Sequence, residues 1–198
     1  MTAAAHQFAS RGYAGTSIAQ IAAEMGRPKS AVGYHQFASK EELAFAIIEE
    51  QWQRWDQLRQ AADALPLPSV TRLLCLLLAT GLESRGDPVT LGAVRLLAER
   101  DVLGFAVPEQ PFVWRNHAVQ RIQESLSSRE LVSTEPATAI AARLLTASFG
   151  MFEAENRGLQ PIDTEANLRG LWLDLLTGID PVNGPNLVAR ATTDFAAV

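Results

Sequence analysis

Cysteine is nearly absent from this 198-residue chain: Cys75 is its single thiol, which excludes an intramolecular disulfide and any metal cluster built on cysteine. Its setting, the apolar stretch Leu73 to Leu78, marks it as core filling. Histidine is scarce as well, with only His6, His35 and His117. No His-Glu-x-x-His, Gly-x-Ser-x-Gly, phosphate-loop or dinucleotide-binding glycine motif occurs, so neither an enzyme, a metal site nor a cofactor is expected. Every apolar run is broken by charge within about 18 residues, too short to span a bilayer, and no basic segment leads into an apolar block with a cleavage site. The expectation is a cytoplasmic protein with no membrane partner. β-Branched alternation bounded by turns is missing too, as are internal repeats and low-complexity segments.

What is present is helical periodicity and apolar bulk. Hydrophobic residues make up 47% of the chain, enough to bury a core, so disorder is not the leading reading. The net charge of −5 argues superficially against nucleic acid, but the charge is unevenly placed. The first forty residues set Arg11, Arg27, Lys29 and Lys40 against Glu24, a net +3, which leaves −8 on the remainder. A basic end on an acidic body suits a chain that meets phosphates at one end only.

The pattern predicts an all-α fold. A first helix reads from Ala3 to Ser10 and stops at Gly12, since glycine accommodates the left-handed backbone that ends helices. A second opens near Thr16 or Ser17, where Ser17 with Gln20 has capping-box spacing, and ends at Met25-Gly26. A short third helix follows from Pro28, whose missing N–H is not needed in a first turn. Ser39 with Glu42 caps a long helix from Lys40 to Ala64, ended by Pro66. Further helices are predicted over Ser69 to Ser84, Pro88 to Val102, Pro111 to Ser128, Pro136 to Asn156, Thr164 to Thr177 and Pro185 to Phe195.

The second and third helices, with the turn at Gly26-Arg27, have the lengths and spacing of a helix-turn-helix, whose second helix enters the major groove. That helix needs small or polar outward residues, and Lys29, Ser30, Ala31, Tyr34 and His35 supply them. Thr16, Ser17 and Lys40 stand at helix N-termini, where free N–H groups and the helix dipole favour a phosphate oxygen; with Arg27 they complete the expected DNA-binding set. Phe8, Gly12-Tyr13, Thr16-Ser17, Ile21-Ala22, Gly26, Tyr34, Phe37 and Ser39-Lys40-Glu41-Glu42-Leu43 resemble the signature of the TetR family of transcriptional repressors. The resemblance implies a homodimer that reads double-stranded operator DNA and releases it when a small molecule binds the second domain. Met1 falls where that family is already inside its first helix, so a natural chain extending further upstream is expected.

The body is more apolar than surface helices require, so it must enclose a core, a cavity or a partner. Asp87-Pro88-Val89, Gly92-Ala93-Val94-Arg95-Leu96, Pro111-Phe112-Val113-Trp114 and Phe149-Gly150-Met151 resemble the γ-butyrolactone receptor subgroup, which senses γ-butyrolactone, butenolide or furan-acid signals that control antibiotic production. The resemblance implies that Trp114 lines the ligand pocket. Leu77, Val94, Leu97, Leu145, Phe149 and Phe152 are the candidate apolar walls, and ordinary core packing is the competing role for each. Arg95 either meets an anionic ligand or pairs with Glu99 one turn away.

Small residues on one late helix and large ones on the next suggest a four-helix interface between two copies, through Ala141, Leu144, Ser148, Leu168, Leu171, Trp172 and Leu175. The expected division is a DNA-binding domain over residues 1–45 and a ligand-binding and dimerisation domain over 46–198. A helical interaction adaptor, or a ligand sensor that has lost DNA binding, is the alternative.

Overall fold

The computed structural model describes residues 1–26, 39–107 and 109–195, and among them every regular element is helical. In chain order these are α1 (Thr2–Arg11), α2 (Ile18–Glu24), α3 (Lys40–Asp63), α4 (Ser69–Glu83), α5 (Pro88–Ala98), a 3-10 turn at Arg100–Val102, α6 (Trp114–Ser127), α7 (Ala137–Asn156), α8 (Thr164–Ile179) and α9 (Gly184–Ala189). The all-α expectation holds. Among the described residues, no helix is long and apolar enough to cross a membrane.

The caps read from sequence are in place. Ser17 and Gln20 form a reciprocal capping box at α2, and the Glu42 N–H donates to Ser39 Oγ at 3.0 Å where α3 begins. Asp87 caps α5 by accepting from the Thr90 N–H at 3.0 Å, with Pro88 in the first turn. Three bounds differ from expectation by more than two residues. α5 stops at Ala98, where Glu99 leaves helical geometry and Arg100–Val102 tightens into a 3-10 turn before Gly104, at φ +77°. α6 opens at Trp114 because Val113 is extended, which leaves Pro111 outside the helix. α9 ends at Ala189, and the carbonyls of Val188 and Ala191 accept from the Arg169 guanidinium.

The chain forms two compact units: Met1–Trp55 with Glu83–Pro111, and Asp56–Leu82 with Phe112–Val198. The expected cut at residue 45 follows the DNA-binding motif; compactness follows packing instead. In the first unit α5 lies directly on α1, since a Cβ on Gly92 would come 2.6 Å from the Ala5 carbonyl oxygen. Phe8, Ile21, Leu43, Ile47 and Ile48 are among its buried side chains.

The second unit is built around α4. Residues Leu73 to Leu78 are all buried, as expected of a helix that is apolar all round. Ile122, Ile140, Leu144, Leu168, Trp172 and Leu176 pack into the same core. Cys75 fills that core as expected, and its sulfur accepts from the Thr192 N–H. The start of α4 satisfies its orphan donors on α6 and the turn after it: Ser69 N–H donates to Glu130 at 3.0 Å and Val70 N–H to Ser125 Oγ at 2.8 Å.

Candidate functional site

The sequence places the DNA-binding set at the start of the first unit. Arg27, Lys29, Ser30, Ala31, Tyr34 and His35 lie outside the described residues. Of the remainder, Ser17 is a working N-cap, with its side chain accepting from the Gln20 N–H at 3.3 Å and its own N–H donating to Gln20 Oε1 at 2.7 Å. Thr16 requires a correction. Its hydroxyl donates to the Gly12 and Gln7 carbonyls at 2.8 and 3.1 Å, its N–H donates to the Tyr13 carbonyl at 3.2 Å, and the residue is 3% exposed. It locks the turn between α1 and α2 and has no donor left for a phosphate.

Lys40 is drawn into the same turn. Its Nζ donates to the Tyr13 carbonyl at 2.9 Å and stands 4.0 Å from the centre of the Tyr13 ring. Burial, then the charge of Glu41, pushes the Tyr13 phenol above its ordinary range. Glu24 ties α2 back to α1 through His6 Nδ1 and Gln7 Nε2, both at 2.6 Å. Glu99, at the end of α5, accepts the Tyr13 N–H at 2.8 Å and pairs with Arg95 at 2.6 Å. The second of the two roles considered for Arg95 is therefore the one the structure shows. Sequence pattern gives Glu99 only as a partner of Arg95; its hold on the Tyr13 N–H, and the bridge from Glu24 to α1, act across long separations, and a single carboxylate carries no motif.

The candidate ligand walls divide between the two units. Val94 and Leu97 belong to α5 in the first unit, where Val94 is exposed. Leu77, Trp114, Leu145, Phe149 and Phe152 belong to the second, with Leu77 and Leu145 in its core. Three of these five join a string of aromatic rings. Trp114 meets Phe149 edge-on at 5.7 Å, Phe149 meets Phe152 at 6.0 Å, and Phe112 packs on Trp114 at 5.1 Å and on His117 at 5.8 Å. The Arg59 guanidinium lies 5.5 Å over Phe112. Burial holds the His117 imidazole below its ordinary range, against the attraction of Asp63. A separate surface groove of about 780 Å³ runs along α6, lined by Arg115, Val119, Gln123, Ser127 and Thr138 among others, and none of the expected wall residues lines it.

The expected dimer contacts also need correction. Ala141, Leu144, Ser148, Leu168 and Trp172 are wholly buried inside a single chain, because α7 and α8 turn these faces onto α4 and each other. Leu171 and Leu175 are half-buried against the same core. The faces α7 and α8 leave open carry Thr138, Ala142, Thr146 and Gly150, and Gly170 and Leu173.

Residues 1–47 match the family model for bacterial regulatory proteins of the tetR family. Among solved structures, a γ-butyrolactone receptor described as an ArpA-like protein is 28% identical, with a TM-score of 0.78 over 96% of this chain and 92% of its own. A structure reported as the molecular basis for control of antibiotic production by bacterial hormones is 30% identical, with a TM-score of 0.64 over 88% of this chain and 89% of its own. The TetR family protein CprB of Streptomyces coelicolor, solved with its biological operator sequence, is 26% identical, with a TM-score of 0.75 over 96% and 92% of the two chains. No curated protein matches the chain in sequence.

Proposed function

The chain belongs to the TetR family of bacterial regulatory proteins, and from that premise we propose that it is a cytoplasmic transcriptional repressor that binds operator DNA as a homodimer and leaves it when a small signalling molecule binds. Residues 1–45 would read the DNA, with Lys29 as the principal contact of the reading helix and Arg27, Ser30, Ala31, Tyr34 and His35 around it. Residues 46–198 would bind the effector and a second copy. The observation that carries this reading is the coincidence of the N-terminal family match with likeness to γ-butyrolactone receptors along 96% of the chain.

The proposed effector is a γ-butyrolactone, butenolide or furan acid. An alkyl chain suits the aromatic string of Trp114, Phe149 and Phe152. The proposed dimer face is the open side of α7 and α8. Thr138, Ala142, Thr146 and Gly150 recur every four residues on one exposed stripe, and Gly170 and Leu173 lie exposed on α8, so two copies could approach closely there.

The test is binding of the full-length protein to duplexes spanning the region upstream of its own coding sequence, measured at several salt concentrations. A DNA-binding repressor gives an affinity that falls steeply with salt, since phosphate contacts release counterions. It also gives release on adding one member of the lactone, butenolide and furan-acid panel. Replacement of Trp114 should abolish that release and preserve DNA binding. No shift at low salt would overturn the repressor reading.

A further inference from the structure

The Gly12-Tyr13 turn between α1 and α2 is held by groups far from it in sequence. Glu99, at the C-terminal end of α5, accepts the Tyr13 N–H through Oε2 at 2.8 Å, across 86 positions of chain, and its other oxygen takes the Arg95 Nε at 2.6 Å. Both carboxylate oxygens are thereby committed. Gly12 makes this approach possible: a Cβ there would strike the carboxylate, lying 2.8 Å from Oε2 and nearer still to Oε1, and its φ of +69° already favours glycine. On the opposite side Lys40 takes the Tyr13 carbonyl at 2.9 Å, while the Tyr13 ring packs edge-on against Phe105 at 5.3 Å.

Glu99 also stands where local electrostatics disfavour it. The end of a helix carries partial negative charge, so a cation is preferred there. A carboxylate at that position is offset by Arg95 one turn back and by the Tyr13 N–H, which makes the long-range contact the reason for its placement. The segment that carries it, Glu83–Pro111, is covalently bracketed on both sides by residues of the second unit.

We infer that Glu99 is the positioning residue of the DNA-binding end: its carboxylate, gripping the Tyr13 N–H beside Gly12, fixes where α2 begins and so sets the helix-turn-helix in the geometry that operator DNA requires. This rests on the repressor reading above. A neutral side chain with an oxygen at the same reach preserves the grip, a shorter one with the same charge breaks it, and a Cβ on Gly12 displaces it.

The experiment uses the full-length protein, duplexes from its own upstream region, and the variants Glu99→Asp, Glu99→Gln, Glu99→Ala and Gly12→Ala. Affinity and its salt dependence are read by fluorescence anisotropy, the fold by circular dichroism and Tm, and the Tyr13 amide by hydrogen exchange. Glu99→Asp and Glu99→Ala should lose affinity about tenfold or more, as when a part-buried N–H is left without its acceptor, with a shallower salt slope because fewer phosphates are reached. Both should expose the Tyr13 amide to exchange while remaining folded at the assay temperature. Glu99→Gln should stay within about threefold of wild type, and Gly12→Ala combined with Glu99→Ala should be little worse than either alone, as for residues sharing one contact. A purely structural role would lower Tm and leave the salt slope unchanged. Should Glu99→Ala fail to fold, Glu99→Asp decides: wild-type affinity and slope in that variant overturn the inference. A wild-type protein that binds no duplex overturns the repressor reading and this inference together, whereas wild-type binding with indifferent Glu99 variants overturns this inference alone.

Discussion

Trp172 on α8 donates its indole N–H to Ser148 Oγ on α7 at 2.9 Å, and the Ser148 hydroxyl donates to the Leu144 carbonyl at 2.7 Å, with both side chains wholly buried. The pair joins the two helices across the core of the second unit. In Ser148→Ala the indole N–H stays buried without an acceptor, which costs about 1–3 kcal/mol. Urea unfolding should show a lower midpoint at an unchanged m-value. An unmoved midpoint would mean that the indole finds another acceptor.

That pair also shows where sequence reading reached its limit. In sequence Ser148 and Trp172 point to a second copy, because a small residue and a large one on successive helices suit an interface equally well as a core. Periodicity identifies an apolar face without naming what covers it. Elements with local chemical signals were legible: the capping pairs Ser17 with Gln20 and Ser39 with Glu42, and the apolar run around Cys75, are all as read. Position at a helix start suggests phosphate contacts for Thr16 and Lys40, yet Thr16 commits its donors to Gly12 and Tyr13 within its own turn, and Lys40 reaches back across 27 positions to Tyr13. The candidate walls divide between two units for the same reason, since α5 packs on α1 through Gly92, a contact between segments more than eighty residues apart.

Gly81 is the seat of Phe152. A Cβ on Gly81 would strike the Phe152 ring, lying 2.7 Å from Cζ and closer to Cε1, and would come 3.2 Å from the Thr164 methyl. Gly81→Ala therefore forces the ring aside, an overpacking that costs about 1–3 kcal/mol. Phe152 touches Phe149 and Phe149 touches Trp114, so the displacement should also change tryptophan fluorescence in the folded protein. Thermal unfolding and emission spectra check both effects; an unshifted Tm would show that the ring has room to turn.

Lys29 and Lys40 should behave differently on DNA although both belong to the basic end. Lys40 is engaged with the Tyr13 carbonyl and ring, whereas Lys29 was assigned to the reading helix from sequence. Lys29→Ala should weaken operator binding and reduce the salt slope by about one. Lys40→Met should lower Tm by a few degrees while Glu99 keeps its hold on the Tyr13 N–H, so the salt slope stays as in wild type. A slope reduced by about one in Lys40→Met, with the Tyr13 amide still protected from exchange, would return Lys40 to the phosphate contacts.

His117 gives the second unit an acid sensitivity whose sign follows from its surroundings. Burial disfavours the imidazolium, Arg121 and Arg59 oppose it, and the attraction of Asp63 and Glu124 does not make up the difference, so the folded pKa lies below the ordinary 6.5. The folded protein then binds fewer protons here than the unfolded chain. The stabilisation is complete above pH 6.5 and is lost as the pH falls through the folded value. Wild type should lose stability between about pH 7.5 and pH 5, and His117→Gln, which cannot take up the proton, should lose less over the same interval. Urea unfolding at both pH values measures the difference, and parallel losses in the two proteins would assign the acid sensitivity to other groups.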